Sequence, residues 1–194
     1  MFNTRDTTKV FDLVGRATAA GDATLVAIDG LGGAGKSTLA AQLIVSLQEA
    51  AIVALDDFYR PMPAAERAEL GPQDGYERYF DWRRLRDHVL APLTEGTPAR
   101  YRRYEWATNS LAEWREVEPS GVVLIEGVYS TRPQLRPYYG ATVYVHTPRE
   151  DRLARMLDRD YEDVSWVQHW MTAEDWYLEN ERPGEHVDLV VNGY

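Results

Sequence analysis

The chain has 194 residues, 44% of them apolar and 27% charged, which is ordinary globular usage and excludes disordered, collagen-like and coiled-coil proteins. It contains no cysteine, which excludes a disulfide scaffold, thiolate metal sites and a cysteine nucleophile. Acidic residues outnumber basic ones by 31 to 21, and the net charge of −10 disfavours non-specific binding to nucleic acid or to an anionic membrane. A local positive site must therefore bind any polyanionic ligand.

The length predicts one compact domain over residues 1–194, since no repeat or flexible linker divides it. Residues 1–6 lack the basic-then-apolar order of a signal peptide. No apolar run approaches the roughly 20 residues needed to span a bilayer. We therefore expect a cytoplasmic protein with neither a membrane nor a nucleic-acid partner.

The first part of the chain is predicted to alternate helices and strands. Apolar residues at helical spacing predict a helix over residues 7–19, which a Gly-Asp pair ends. The apolar run 25–28 predicts a buried strand, residues 37–48 a helix and residues 51–55 a second short strand. The first helix is expected to cover an edge of the sheet or a neighbouring subunit of a homo-oligomer.

The second part continues the alternation after an irregular stretch. A helix is predicted from Asp81 to Leu90, closed by Pro92, and residues 95–120 are mixed and turn-rich. Later strands are predicted at residues 122–125, 142–145 and 187–191, and helical segments at 149–159 and 166–180. Short apolar strands alternating with helices favour an α/β fold with a mostly parallel sheet covered on both faces.

A phosphate-binding motif follows the first predicted strand. Residues 30–38 satisfy the pattern Gly-x-x-x-x-Gly-Lys-Ser and continue into a helix. The glycines let backbone N–H groups converge on phosphate oxygens, and the helix N-terminus adds about half a unit of positive charge. Lys36 supplies a cation for the β- and γ-phosphates and Ser37 a hydroxyl for Mg²⁺. The predicted nucleotide-binding residues are Gly30, Gly32, Gly33, Ala34, Gly35, Lys36, Ser37 and Thr38.

Acidic residues end two of the predicted strands. Asp56 and Asp57 follow the second strand, and Glu126 follows the run 122–125. Because ligands bind at the carboxyl edge of open α/β sheets, these acids are expected beside the phosphate loop. A carboxylate there can accept a proton from an attacking hydroxyl or hold Mg²⁺. The alternative is a solvated turn or a helix cap.

Three arginines share one face of a predicted helix. Arg152, Arg155 and Arg159 are three and four residues apart in the sequence. Guanidinium groups so placed can clamp a transferring phosphate and neutralise its charge in the transition state. Pairing with neighbouring acids is the alternative, and Arg155 and Arg159 are the stronger candidates for function.

These elements, in this order, resemble the uridine kinase and phosphoribulokinase family. The likeness covers roughly residues 22–192. It is carried by the phosphate loop, Asp56-Asp57-Phe58-Tyr59, Phe80-Asp81-Trp82, Tyr104-Glu105-Trp106, Ile125-Glu126-Gly127, Arg155 to Asp160, and Val187-Asp188-Leu189-Val190. The resemblance implies a P-loop NTPase fold with a central five-stranded parallel sheet. It also implies phosphorylation of a small-molecule hydroxyl with ATP and Mg²⁺.

The resemblance also implies roles for individual residues. Asp56 takes the place of the catalytic base and Lys36 contacts the phosphates. Ser37, Glu126 and Asp56 are expected near Mg²⁺. Catalytic arginines, Arg155 and Arg159, belong to a lid over about residues 149–165. An insertion over about residues 60–118 is expected to bind the acceptor, with the substrate-binding candidates Asp57, Tyr59, Tyr104 and Glu105.

The acceptor stays open between several compounds. In uridine kinases a Tyr-Asp-Phe element helps form the nucleoside pocket; here its likeness is residues 104–106, Tyr-Glu-Trp, and the histidine that often follows has no counterpart. A nucleoside such as uridine or cytidine is the leading acceptor, with pantothenate, a sugar or a nucleoside monophosphate as alternatives. A regulatory P-loop ATPase without a metabolite acceptor is the rival function.

Other residues are predicted to have structural roles or stay ambiguous. The aromatic-rich segment 76–106 is either acceptor pocket or packing. Trp166, Trp170 and Trp176 are assigned to packing. The four histidines lack metal-ligand spacing and receive no catalytic role.

Overall fold

The computed structural model describes residues 4–18, 23–158 and 164–193. The strands are β1 (Thr24–Asp29), β2 (Ala50–Ala54), β3 (Ala99–Glu105), β4 (Ser110–Val117), β5 (Val122–Glu126), β6 (Ala141–His146) and β7 (Leu189–Asn192). The helices are α1 (Thr4–Ala17), α2 (Lys36–Ser46), α3 (Ala64–Ala68), α4 (Pro72–Arg78), α5 (Trp82–Leu85), α6 (Ala91–Thr94), α7 (Arg149–Leu157) and α8 (Val164–Glu181). None of the helices in these three ranges is both long and apolar enough to cross a bilayer.

Five strands form the central sheet, in the order β2-β5-β1-β6-β7, and every neighbouring pair is parallel. All residues of the middle strand, β1, are buried. A strand that is covered on both faces reads as an almost continuous apolar run, because side chains on either face meet the core. The predicted α/β fold with a mostly parallel five-stranded sheet is therefore confirmed.

Helices cover both faces of this sheet. On one face, α1 and α2 place Val10, Val14 and Leu39 in one buried cluster with Val26 and Val143 of the sheet. The opposite face carries the larger cluster, to which α4, α5, α8 and the β3–β4 hairpin contribute. Because α1 contacts β6 and β7, it covers the sheet beside that edge, the first of the two predicted positions.

The helix predicted to end at Pro92 continues beyond it. α5 passes through a π-helical turn, Arg86–Leu90, into α6, which ends at Thr94. In an α-helix, proline removes an N–H donor and its ring clashes with the carbonyl four residues earlier. The wider π turn, in which Ala91 donates to the carbonyl of Arg86, shifts this bonding by one residue and accommodates the proline.

The segment predicted as mixed and turn-rich contains an antiparallel hairpin, β3–β4, with an irregularity in its pairing between Arg102 and Tyr104. In β3 the buried residues Ala99 and Tyr101 alternate with exposed arginines. This period of two is the signal of a half-buried strand. The many charged side chains of the segment, which lie on its solvent face, obscured that signal.

Asp29, the last residue of β1, joins three distant parts of the chain. Its carboxylate is fully buried. Oδ1 accepts hydrogen bonds from the N–H groups of Gly30 (2.6 Å) and Tyr129 (3.1 Å). Oδ2 accepts from the N–H (2.8 Å) and hydroxyl (2.6 Å) of Thr131 and from the hydroxyl of Tyr177 (2.7 Å). Asp29 therefore holds the start of the phosphate loop against the segment after β5 and against α8.

We expect Asp29→Asn to lower the free energy of unfolding by about 3 kcal/mol. The NH₂ group of asparagine would face groups that donate hydrogen bonds to Asp29, and the remaining bonds would lose the negative charge that strengthens them. Thermal melts of the variant and the unaltered protein measure this change. Asp87→Asn, at a carboxylate that is 54% exposed, is the control and should shift the melting temperature little. Equal melting temperatures for Asp29→Asn and the unaltered protein would contradict the assignment.

Candidate active site

The phosphate loop joins β1 to α2, as the sequence motif predicts. Gly33 and Gly35 have φ angles of +74° and +102°, in the left-handed region that favours glycine. A Cβ atom on Gly33 would lie 2.5 Å from the carbonyl oxygen of Arg152. The loop therefore requires glycine here. The first N–H groups of α2 have no partner within the helix, which makes its N-terminus an anion site.

The other loop residues differ in their exposure. Gly30 is buried, and its N–H donates to Asp29. Ala34 is buried, and its carbonyl oxygen accepts a hydrogen bond from the hydroxyl of Thr147 at 3.0 Å. Thr38 is exposed in the first turn of α2. The loop is thus anchored to the sheet on one side and open at the helix end.

Lys36, Ser37 and Glu126 meet at the carboxyl edge of the sheet. Lys36 is buried, and its Nζ donates to the carbonyl of Leu31 at 3.0 Å. Ser37 Oγ lies 3.3 Å from each carboxylate oxygen of Glu126. Burial raises the pKa of Glu126, Lys36 lowers it and Asp56 raises it further. A hydroxyl beside a desolvated carboxylate is an oxygen donor set of the kind that Mg²⁺ prefers.

Asp56 lies in the short 3₁₀ turn that follows β2. Its side chain lines a cavity of about 160 Å³ together with Lys36, Ser37 and Glu126. Asp56 is exposed to solvent at this cavity, while the protein packed around its carboxylate still removes part of its hydration. This desolvation raises the pKa of Asp56, which Lys36 lowers and Asp57 raises. A raised pKa makes a carboxylate a stronger base and suits it to accept a proton from a hydroxyl.

Aromatic side chains form another part of the cavity wall: Tyr59, Phe80, Trp106, Trp166 and Trp170. The ring centroid of Tyr59 is 4.6 Å from that of Trp106 and 6.0 Å from that of Trp170. Trp166 and Trp170 pack against the main core cluster, as their assignment to packing predicts. The same two rings also face the cavity, which that assignment left out.

The other predicted acceptor-binding residues, Asp57, Tyr104 and Glu105, do not line this cavity. Their side chains form hydrogen bonds with residues of the insertion, namely Tyr101 (2.9 Å), Asn109 (2.8 Å) and Arg103 (2.7 Å), respectively. Burial raises the pKa of Asp57, while the hydrogen bond from Tyr101 lowers it. Tyr104 supports the wall indirectly, since its ring packs edge-on against Tyr59 at 5.3 Å.

The structure describes one of the two predicted lid arginines, Arg155. Arg155 donates through Nη1 to the carbonyl oxygens of Gly33 (3.2 Å) and Gly193 (2.8 Å). Arg159 lies outside the described residues. Arg152, the weaker candidate, is buried and pairs with Glu174 at 2.8 Å. The structure therefore brings Arg155 to the phosphate loop and gives Arg152 an acidic partner inside the protein.

Sequence reasoning missed Glu174 and the cavity-facing role of Trp166 and Trp170. A signal existed, because these three residues are four positions apart along α8 and therefore share one face of the helix. Asp29 also had a signal, as an acid placed between a buried apolar strand and the first glycine of the loop. The local sequence did not indicate which distant residues form hydrogen bonds with Glu174 and Asp29.

Comparison with known proteins identifies the family. The model of the phosphoribulokinase/uridine kinase family matches residues 25–164. The chain belongs to this family. A uridine kinase from Halobacterium salinarum is 28% identical over 181 residues, which cover 86% of this chain and 78% of that enzyme.

Solved structures share the fold of this family member. A protein described as a possible uridine kinase from Bacillus stearothermophilus superposes with a TM-score of 0.72 at 24% identity, covering 96% of this chain and 98% of that one. D-glycerate 3-kinase from Cryptococcus neoformans superposes with a TM-score of 0.65 at 14% identity, covering 97% of this chain and 94% of that one. Kinases named for different acceptors therefore share this fold.

Membership of the phosphoribulokinase/uridine kinase family makes the chain a P-loop kinase and hence a phosphotransferase, and such kinases generally use ATP and Mg²⁺. The residues present fit both groups. Gly33 and Gly35 hold the loop in left-handed backbone conformations at the start of α2, where the first N–H groups of the helix can bind phosphate oxygens. Ser37 and Glu126 provide oxygen donors for an ion next to it.

Proposed function

We propose that this chain transfers the γ-phosphate of ATP to a hydroxyl group of a small molecule, with a nucleoside of the uridine or cytidine type as the acceptor. The observation that carries the proposal is one shared cavity, whose walls include Lys36 and Ser37 of the phosphate loop, the carboxylate of Asp56 and five aromatic rings. A base and a phosphate site on one cavity can hold the attacking oxygen and the phosphorus together, which supplies much of the rate in phosphoryl transfer.

Each residue of the cavity has its own role in the proposed phosphoryl transfer. Asp56 accepts the proton of the attacking hydroxyl, a role that its raised pKa supports. ATP with Mg²⁺ supplies the transferable phosphoryl group and the neutralising charge. Ser37 and Glu126 hold the ion, and Lys36 with the loop N–H groups binds the phosphates.

Two segments complete the proposed enzyme. We assign residues 149–165 to a lid over the γ-phosphate that excludes water; Arg155 already bonds to the carbonyl oxygen of Gly33 in the loop, and Arg159 lies outside the described residues. Residues 60–118 form the acceptor-binding insertion, from which Phe80 and Trp106 face the cavity, and the ring of Trp106 packs against that of Tyr59 just before the insertion.

The chemistry of the cavity wall favours a nucleoside over the other acceptors. Aromatic faces bind a planar ring by stacking, and the wall is rich in them. Among the described residues that line the cavity, Lys36 is the single basic side chain, and the nucleotide phosphates need it. A carboxylate or phosphate on the acceptor would therefore lack a counter-charge. This argues against glycerate, pantothenate and nucleoside monophosphates.

The test is ADP release from ATP·Mg²⁺ with a panel of acceptors: uridine, cytidine, uridine monophosphate, D-glycerate, pantothenate and a neutral sugar. We expect uridine or cytidine to stimulate release and to gain one phosphate, as seen by mass spectrometry. Stimulation by another member of the panel would reassign the acceptor. Release that no acceptor stimulates would favour the regulatory ATPase.

A further inference from the structure

Three functional parts of the molecule meet at one buried acid, Glu174 of α8, which is fully inaccessible to solvent. Its Oε1 accepts hydrogen bonds from the N–H of Gly32 at 2.6 Å and from the indole Nε1 of Trp170 at 2.8 Å. Its Oε2 accepts from Nη1 of Arg152 at 2.8 Å. Gly32 belongs to the phosphate loop, Trp170 to the aromatic cavity wall and Arg152 to α7.

These parts are in direct contact around Glu174. A Cβ atom on Gly32 would lie 2.9 Å from Glu174 Oε1 and 2.9 Å from the sulfur of Met156 in α7. Arg152 also reaches the carbonyl oxygen of Gly32, at 3.4 Å. The loop is therefore held at Gly32 through both its N–H and its carbonyl group, by two side chains that are bonded to each other.

The attraction between the two charges does not by itself account for this arrangement. Buried ion pairs can often be replaced by apolar residues of similar volume without loss of stability, because burying two charges is costly. The carboxylate provides something that an apolar residue cannot, an acceptor for two partly buried N–H donors, those of Gly32 and Trp170. Those two donors come from the nucleotide side and the acceptor side of the same cavity.

We propose that Glu174 is a positioning residue that couples the phosphate loop to the acceptor wall, an inference that rests on the proposed kinase function. Because Gly32 and Trp170 share one carboxylate oxygen, a change in the loop when nucleotide binds alters the bond that orients the Trp170 ring. The coupling acts through geometry, since Arg152 compensates the negative charge of Glu174. Nucleotide binding thereby sets the wall against which the acceptor stacks.

The experiment uses two double variants of the full chain that both remove the ion pair. Arg152→Gln with Glu174→Gln keeps a side-chain carbonyl oxygen for the donors of Gly32 and Trp170, whereas Arg152→Met with Glu174→Met does not. Neither leaves a buried charge without a partner. Glu179→Gln, at an exposed position of α8, is the control. Calorimetry measures ADP·Mg²⁺ binding, which requires no acceptor. Emission from Trp170 is isolated by subtracting the spectrum of the matching Trp170→Phe protein.

We expect ADP·Mg²⁺ to change the Trp170 emission of the unaltered protein, the Gln pair and the control. In the Met pair this response should disappear, and ADP·Mg²⁺ should bind on the order of tenfold more weakly, since the N–H groups of Gly32 and Trp170 lose their shared acceptor. A folded Met pair with unaltered affinity and emission response would overturn the inference. A folded Gln pair that loses both its affinity for ADP·Mg²⁺ and its emission response would also overturn the inference. The Gln pair therefore tests the inference even if the Met pair fails to fold.

The two proposals can fail separately. If the unaltered protein does not bind ADP·Mg²⁺ at all, the proposed function and this inference fall together. If it binds ADP·Mg²⁺ and the two double variants behave alike, the inference alone is wrong.

Discussion

Asp56→Asn is expected to lower kcat by about 10²- to 10⁴-fold, the usual contribution of a general base, while the affinity for ATP·Mg²⁺ stays nearly unchanged. Asparagine matches the shape of aspartate but cannot accept the proton of the attacking hydroxyl. Steady-state kinetics with the acceptor found in the panel measure kcat, and calorimetry measures nucleotide affinity. Asp74→Asn, at an exposed position of α4, is the matched control. Full turnover in Asp56→Asn would remove Asp56 as the base.

The same substitution should raise the melting temperature at pH 7. Burial raises the pKa of Asp56 above the usual 3.8, so the folded state binds its proton more tightly than the unfolded state does. The stability that this proton contributes is complete below pH 3.8 and is lost as the pH rises through the raised pKa. Asparagine stays neutral at every pH. The difference in melting temperature between Asp56→Asn and the unaltered protein should therefore become smaller as the pH falls towards 3.8. A lower melting temperature for Asp56→Asn at pH 7 would contradict this account.

The raised pKa of Asp56 should also appear in the pH dependence of turnover. Because Asp56 must be ionised to act as a base, kcat/KM should fall on the acid side with an apparent pKa above 3.8. The acid limb of the profile measures this pKa. The limb should be absent from the pH profile of the residual activity of Asp56→Asn.

Lys36→Ala is expected to weaken ATP·Mg²⁺ binding by about 10- to 100-fold, the cost of losing one charge-assisted contact, and to lower kcat as well. Lys36 is the one cation among the described residues of the cavity wall, which it shares with the carboxylates of Asp56 and Glu126. It lowers the pKa of both groups, so its removal should also move the acid limb of kcat/KM to higher pH.

Calorimetry and the pH profile check these effects of Lys36→Ala. The chain has one other lysine, Lys9 of α1, whose ammonium group pairs with Asp6 far from the loop in sequence. Lys9→Ala is therefore the matched control and should leave nucleotide affinity unchanged. Unaltered affinity in Lys36→Ala would contradict the assignment of the phosphate loop.

Local patterns determined a large part of this protein. The apolar run of β1 predicts a strand buried on both faces, and the glycine-lysine-serine motif after it predicts a loop that only glycine can form at Gly33. The acids at the ends of β2 and β5 could be placed at the phosphate loop, because parallel strands end at one edge of a sheet. These properties depend on residues close together in sequence.

Only the tertiary structure decided which distant groups meet. Asp57, predicted at the acceptor, is bonded to Tyr101, 44 residues away, and Glu174 bonds to Gly32, 142 residues away. A hydrogen bond between such residues depends on how helices and strands pack, and residue type and spacing carry no record of that packing. For the same reason, the sequence could assign Trp170 to packing but not to the wall of the cavity.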